Sequence, residues 1–179
     1  MEAMLIPLHD PPEAEYLDGR TYFKVTPRRT HSLVQRALLR ELERCAAPHG
    51  EFGPEWRYNV GAIDGTETEF VPDIAFISHA RLANLTADEA EEPPLAPDVA
   101  IEIRSPSTRP LYLQRKIERY LRTGSVLVLD VDPANKRVIA HSKTDVREYS
   151  AGERFEHPAI EWFAFDVAAI FPRPHARSI

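Results

Sequence analysis

Two carboxylates carry the first chemical signal in this chain of 179 residues: Asp73, directly after Pro72, and Glu102, in the run Glu102-Ile103-Arg104. Each belongs to an apolar, strand-like stretch, and 28 residues separate them. Carboxylates brought to one point on neighbouring strands repel by about 1 kcal/mol at ~4 Å in water, and by about 4 kcal/mol at an effective dielectric near 20. Such a pair needs a positive charge between its members, and a divalent, oxygen-seeking cation is the natural one. Mg²⁺ in particular binds through one or two carboxylates while keeping positions for water and a substrate phosphate. Arg104 shares a strand face with Glu102. An arginine keeps its proton at any accessible pH, so it can stabilise charge on a phosphate but cannot act as a base.

The elements that position these residues follow from periodicity and punctuation by 16 prolines and 7 glycines. The opening to about Leu17 reads as loosely ordered, and Thr21 to Val25 as a short strand ending at Pro27. Thr30 can cap a helix with Val34, Leu38, Leu42 and Cys45 on its apolar face, stopped by Pro48-His49-Gly50. Trp56 to Ile63 and Glu69 to Ile77 read as strands joined at Asp64-Gly65. The acidic stretch from His79 to Pro97 reads as a surface excursion with one short helix. Asp98 to Arg104 is the next strand: Val99, Ile101 and Ile103 supply its buried side, with Asp98, Ala100, Glu102 and Arg104 opposite. A Ser105-Pro106-Ser107-Thr108 turn then leads into a helix from about Pro110 to Thr123, ended by Gly124. Ser125 to Val131 has the apolar run of a strand buried on both faces. Further strands are predicted over Lys136 to His141, Val146 to Tyr149 and Arg154 to Glu156, and a helical turn over Asp166 to Phe171.

Projected as a helix, the segment after Pro110 buries Leu113, Ile117, Tyr120 and Leu121 and sets Arg115, Arg119 and Arg122 opposite as a basic stripe. Lys116 falls on the flank, where its methylenes can follow the core and its ammonium can turn toward the sheet. This locally basic helix sits in a chain of net charge −6, which argues against coating nucleic acid by bulk electrostatics and leaves room only for a local site. The single cysteine, Cys45, excludes an internal disulfide and a cysteine metal cage, and its apolar setting makes it core. With no apolar leader or membrane-length run, the expected compartment is the cytoplasm. Length and composition fit one domain spanning residues 1–179, with its core at about 13–172.

Pro72-Asp73, a gap, and Glu102-Ile103-Arg104 together resemble the PD-(D/E)XK nuclease superfamily. More narrowly, the chain resembles the Uma-two family of restriction-endonuclease-like proteins. The matching stretches are Leu17-Asp18-Gly19, His31, Val71 to Ile77, Pro97 to Ser107, Lys116, Tyr120, Gly124 and Val131-Asp132-Pro133. The resemblance implies an α/β restriction-endonuclease-like fold, a central mixed sheet flanked by helices. It also implies an Mg²⁺-dependent endonuclease, with Mn²⁺ as a possible substitute, acting on DNA as a homodimer. Asp73, Glu102 and the backbone carbonyl of Ile103 would hold the metal, with Glu55 as a third carboxylate. Arg104 stands where the superfamily has lysine, so the resemblance shifts that role to Lys116 of the following helix. His31 would approach the site from the first helix.

Each residue also has a plainer reading. Asp73 and Glu102 can be strand-end carboxylates paired with Arg104 and Lys116; Glu55 and Lys116 can be solvated, and His31 can stabilise a helix start. Asp98, a competing acid, reads as strand-initiating after Pro97. Two rival functions follow: a nuclease fold that binds nucleic acid or a protein without cutting, and a metal-dependent hydrolase of another phosphorylated substrate.

Overall fold

The computed structural model describes residues 14–24 and 26–173. A hairpin opens it, β1 (Ala14–Leu17) and β2 (Arg20–Phe23), followed by helix α1 (Arg29–Glu43). Four strands come next: β3 (Gly50–Pro54), β4 (Tyr58–Ile63), β5 (Thr66–Phe70) and β6 (Ile74–Ser78). Two short helices, α2 (His79–Leu82) and α3 (Ala87–Glu91), lead to β7 (Val99–Ile103), α4 (Pro110–Thr123) and β8 (Leu127–Asp132). Strands β9 (Arg137–His141) and β10 (Val146–Ser150) follow, then the two-residue strands β11 (Arg154–Phe155) and β12 (Phe165–Asp166) among single 3₁₀ turns. No helix among the described residues is long and apolar enough to cross a membrane.

The central sheet has six strands in the order β10-β9-β8-β7-β6-β3. Only β7 and β8 run parallel, joined through α4; every other pair is antiparallel. This is the mixed sheet expected from the sequence. Alternation sorts its side chains into two cores. Ile74, Phe76, Val99, Ile101, Leu127 and Leu129 face α1 and the C-terminal aromatics. Ala75, Ile77, Ala100 and Val128 face Leu113, Ile117 and Tyr120 of α4. That second core also takes in Leu17, Tyr58 and Phe70 from a smaller sheet, ordered β2-β1-β5-β4. The central strands are therefore buried on both sides, β7 included, so its Glu102 face is not the open face that alternation alone suggests.

Several expectations need correction. The run from Glu69 to Ile77 is two strands in two different sheets, broken at Val71-Pro72-Asp73. Proline has no N–H for a ladder, and the chain crosses from the small sheet to the large one there. The stop after α1 is followed at once by β3, an edge strand beside β6 that the sequence reading lacks. Helix α1 begins at Arg29 with Arg28 as its cap residue and no capping side chain, so Thr30 lies inside it rather than ahead of it. The excursion after β6 holds two short helices, the second closed by a Thr86/Glu89 capping box. The opening expected to be loose forms strand β1 at Ala14–Leu17; residues 1–13, and Val25 at the end of the expected strand, lie outside the described residues.

Candidate active site

The broken strand explains where Asp73 sits. Just ahead of β6, its carboxylate is free to turn toward the end of β7, where Oδ2 accepts from the backbone N–H of Ile103 at 2.7 Å. His31, in the first turn of α1, brings Nε2 to 3.1 Å from the same oxygen. Lys24, which follows β2, approaches Oδ1 at 3.5 Å and donates to the carbonyl of Val71 at 2.9 Å. Gln35, one turn further along α1, donates to the backbone carbonyl of Asp73 at 2.8 Å.

Glu102 lies on the α4 side of β7. Its Oε1 accepts from the Tyr120 hydroxyl at 2.9 Å and from Lys116 Nζ at 2.7 Å. Lys116 is 3% exposed, and the ammonium does turn toward the sheet from the flank of α4. It has a second partner, Glu15 Oε1 at 2.6 Å. Glu15 in turn accepts from the N–H of Val71 at 2.7 Å and from the Tyr112 hydroxyl at 2.5 Å. One buried carboxylate from the opening hairpin thus ties β1 to the strand break and to α4.

Asp73, Glu102, Lys116, His31 and Arg104 all line one cavity of about 580 Å³, together with Glu15 and Lys24. Arg104 is turned aside within it: Asp130, on the adjacent strand β8, accepts from Nε at 2.7 Å and from Nη2 at 2.6 Å. Asp132 adds a longer contact at 3.4 Å. Glu55 stands one step removed, at positive φ after β3, with its carboxylate paired to Lys24 and accepting from Gln35. It reaches Asp73 only through those two side chains. Asp98 is structural, accepting from the N–H of Ser78 at 2.7 Å and from Arg81 at 3.0 Å. The basic stripe on α4 is largely neutralised: Arg119 is buried and paired with Asp18, and Arg122 donates to Asp64 at 2.8 Å.

Charges shift one another in this cavity. Burial pushes Asp73 upward, but the His31 hydrogen bond and the charges of Lys24, His31 and Lys116 outweigh it and hold the carboxyl below its ordinary value. His31 is raised: burial opposes its charge, and the bond and charge of Asp73 prevail. Lys116 is likewise raised despite burial, because Glu102 and Glu15 both face it, so it stays protonated and cannot serve as a base. Glu102 is pushed up to about 7, first by burial and then by Asp73 and Glu15, against the pull of Lys116.

Burial dominates that last shift; within the cavity Glu15, Asp73 and Glu102 face Lys24, Lys116 and His31, and Arg28, Arg104 and Arg109 also contribute to its lining. Asp73 Oδ1 and Glu102 Oε2 accept no hydrogen bond among the described residues. Two neighbouring carboxylates, with Asp73 Oδ1 approached only by Lys24 at 3.5 Å and Glu102 Oε2 taking no hydrogen bond, offer the oxygens that suit a hard divalent cation keeping much of its water. They do not form a closed cage: no three acidic, histidine or cysteine side chains come together as a metal site among the described residues.

Sequence reasoning missed Glu15, Lys24, Gln35 and the anchoring hydroxyls of Tyr112 and Tyr120. A signal for the first existed: Asp18-Gly19, both at positive φ, is a two-residue hairpin turn between Glu15-Tyr16-Leu17 and Arg20 to Phe23.

The geometry can be set beside known proteins. A family profile described as "Putative restriction endonuclease", Uma2, matches residues 2–168. A crystal structure of a "putative nuclease belonging to DUF820" from Anabaena variabilis is similar, with a TM-score of 0.76 at 21% identity over 89% of this chain and 90% of that one. At that identity the likeness is one of fold. No curated protein matches the sequence. With the profile spanning nearly the whole chain and the mixed-sheet fold matched as well, the chain belongs to the Uma2 family of restriction-endonuclease-like proteins.

Proposed function

We propose that this chain is a metal-dependent endonuclease that hydrolyses phosphodiester bonds in nucleic acid, with DNA as the preferred substrate and Mg²⁺, or Mn²⁺ in its place, as cofactor. The observation that carries the reading is the pair Asp73 and Glu102 lining one cavity with Lys116, each with a carboxylate oxygen that accepts no hydrogen bond among the described residues. Asp73, Glu102 and the carbonyl of Ile103 would hold the cation. A cation so held lowers the pKa of a bound water and polarises a phosphoryl oxygen. Lys116 keeps its positive charge at the cavity floor and neutralises charge developing on the phosphate. Glu15 and Tyr112 fix its approach, and Tyr120 orients Glu102. His31, the Ile103 N–H and Lys24 lock the Asp73 carboxylate in one rotamer, and Arg104 supplies a second cation at the cavity wall. The assembly proposed is a two-fold dimer, the commonest closed arrangement of identical chains, and the cytoplasm is the compartment this chemistry fits.

A binder that does not cut is favoured by one observation: Lys116 is already saturated by two carboxylates, and Arg104 by Asp130. The deciding experiment combines calorimetric Mg²⁺ and Mn²⁺ titration with cleavage of plasmid and oligonucleotides by wild type, Asp73→Asn and Lys116→Met. Metal binding lost in Asp73→Asn, and cleavage lost in both variants, is the expected result. Folded wild type that binds no metal and cuts nothing overturns the nuclease reading. Sedimentation in the same buffer tests the dimer.

A further inference from the structure

We infer that the strand entering this cavity is single-stranded, or already peeled from its partner, and that Phe23 stacks on one of its unpaired bases. The inference rests on the nuclease reading for what happens to the phosphate, but not for which strand geometry fits.

Depth is the first argument. Asp73, Glu102 and Lys116 are 7%, 8% and 3% exposed, at the bottom of a cavity of about 580 Å³. Its walls are built elements. The β1–β2 hairpin and Lys24 form one side, fastened by Glu15 to Val71, Lys116 and Tyr112. The turn from Ser105 to Thr108 and the start of α4 form another, with Ser105 N–H donating to the Thr108 hydroxyl at 2.8 Å. A duplex carries its phosphates on a convex cylinder held stiff by stacking, so it meets groups on a surface or in a broad cleft. It cannot turn one phosphate down between two standing walls. A single strand, with its backbone torsions free, can.

The rim supplies the second argument. Phe23 lines the cavity at the end of edge strand β2 and is 64% exposed. Beside it, Tyr22 packs against Tyr112 with ring centroids 4.1 Å apart. Arg28 and Arg109, both exposed, line the same mouth. One exposed phenylalanine is ordinary. An exposed ring flanked by an aromatic pair and two arginines, above a recessed phosphate-competent floor, is the combination that grips unpaired bases by stacking and their backbone by charge.

The test is fluorescence anisotropy with short labelled single-stranded DNA, single-stranded RNA and the matching duplex, in EDTA and in Ca²⁺. Wild type, Phe23→Ala and Phe23→Trp are compared, with cleavage of the same oligonucleotides in Mg²⁺ and Mn²⁺. The exposure of Phe23 makes these variants safe for folding, which circular dichroism verifies. Expected are tighter binding of a single strand than of duplex, a loss of about 5- to 100-fold in Phe23→Ala, and retention in Phe23→Trp. Duplex bound or cut as well as single strand, an unchanged Phe23→Ala, or no binding of any oligonucleotide overturns the inference. Metal-dependent duplex cleavage untouched by Phe23→Ala would sink it while leaving the nuclease reading intact. Phe23-dependent single-strand binding without cleavage under any metal would do the reverse.

Discussion

Replacing Glu102 with glutamine should stabilise the protein above neutral pH while abolishing its proposed chemistry. The substitution keeps the shape of the side chain and removes one of two carboxylates facing the single ammonium of Lys116; Glu15, at 2.6 Å, remains to balance it. Burial and the neighbouring Asp73 and Glu15 move Glu102 from 4.5 to about 7 in the folded protein. Between those values the native state holds a proton that the unfolded chain has released. Stability therefore falls as pH rises through that window and stays lowered above it. At 1.36 kcal/mol per pKa unit, the shift from 4.5 to about 7 corresponds to about 3 kcal/mol. Glu102→Gln has no such titration, so its advantage over wild type should be small near pH 5 and approach about 3 kcal/mol by pH 8. Urea unfolding followed by circular dichroism in EDTA, at steps of pH across that range, measures it directly. A variant less stable than wild type at pH 8, with a deficit that grows with pH, would refute the reasoning. It would mean that attraction to Lys116 exceeds the desolvation of a second buried carboxylate.

Three further outcomes are expected. In Gly50→Ala a Cβ would lie 2.1 Å from the Ile77 carbonyl oxygen and 2.7 Å from Ser78 Cα, both backbone atoms; the edge strand should lose about 3 kcal/mol or more, and an unchanged melting temperature contradicts the register. Asp130→Asn should release Arg104 from its two-bond grip, so in a double-mutant cycle with Arg104→Ala on oligonucleotide binding the two changes should be non-additive by about 1–2 kcal/mol; strict additivity argues against Asp130 as the residue that positions Arg104. In His31→Ala the deficit in thermal stability should be largest below pH 6.5, where the His31 pair with Asp73 is fully charged, and should shrink as pH rises through the raised pKa of the folded histidine; a deficit that grows with pH is the opposite sign and rules the charged pair out.

The strand carrying Glu102 and the helix carrying Lys116 were legible because each buries a continuous apolar face, and periodicity reports such faces faithfully. Even the sideways reach of Lys116 follows from its angular position on α4. Asp73 was found, but its surroundings were read as strand interior, since an apolar run does not announce which of two sheets it joins; only Pro72 marks the break. Glu15 and Lys24 stayed hidden for another reason. They sit in four-residue strands or just beyond them, with partners 56 and 47 residues away in the chain at Val71. Nothing local to either residue points to those partners. Helical projection places Arg119 opposite the core, yet it is buried, because the small sheet covers that side and offers Asp18.

The bond from Tyr112 to Glu15 spans 97 residues. On a chain made from its N-terminus at about 5–20 residues per second, Glu15 would therefore wait about 5–20 seconds for the helix that completes its neighbourhood. Through that interval the hairpin has no Lys116 to neutralise it and the cavity has no floor. A fragment ending between Ile103 and Arg109 contains both halves of the Asp73 and Glu102 pair but not the cation that lets them stand together. A copy cut short before α4 is thus disarmed by its own topology, and competence arrives only once that helix has been made.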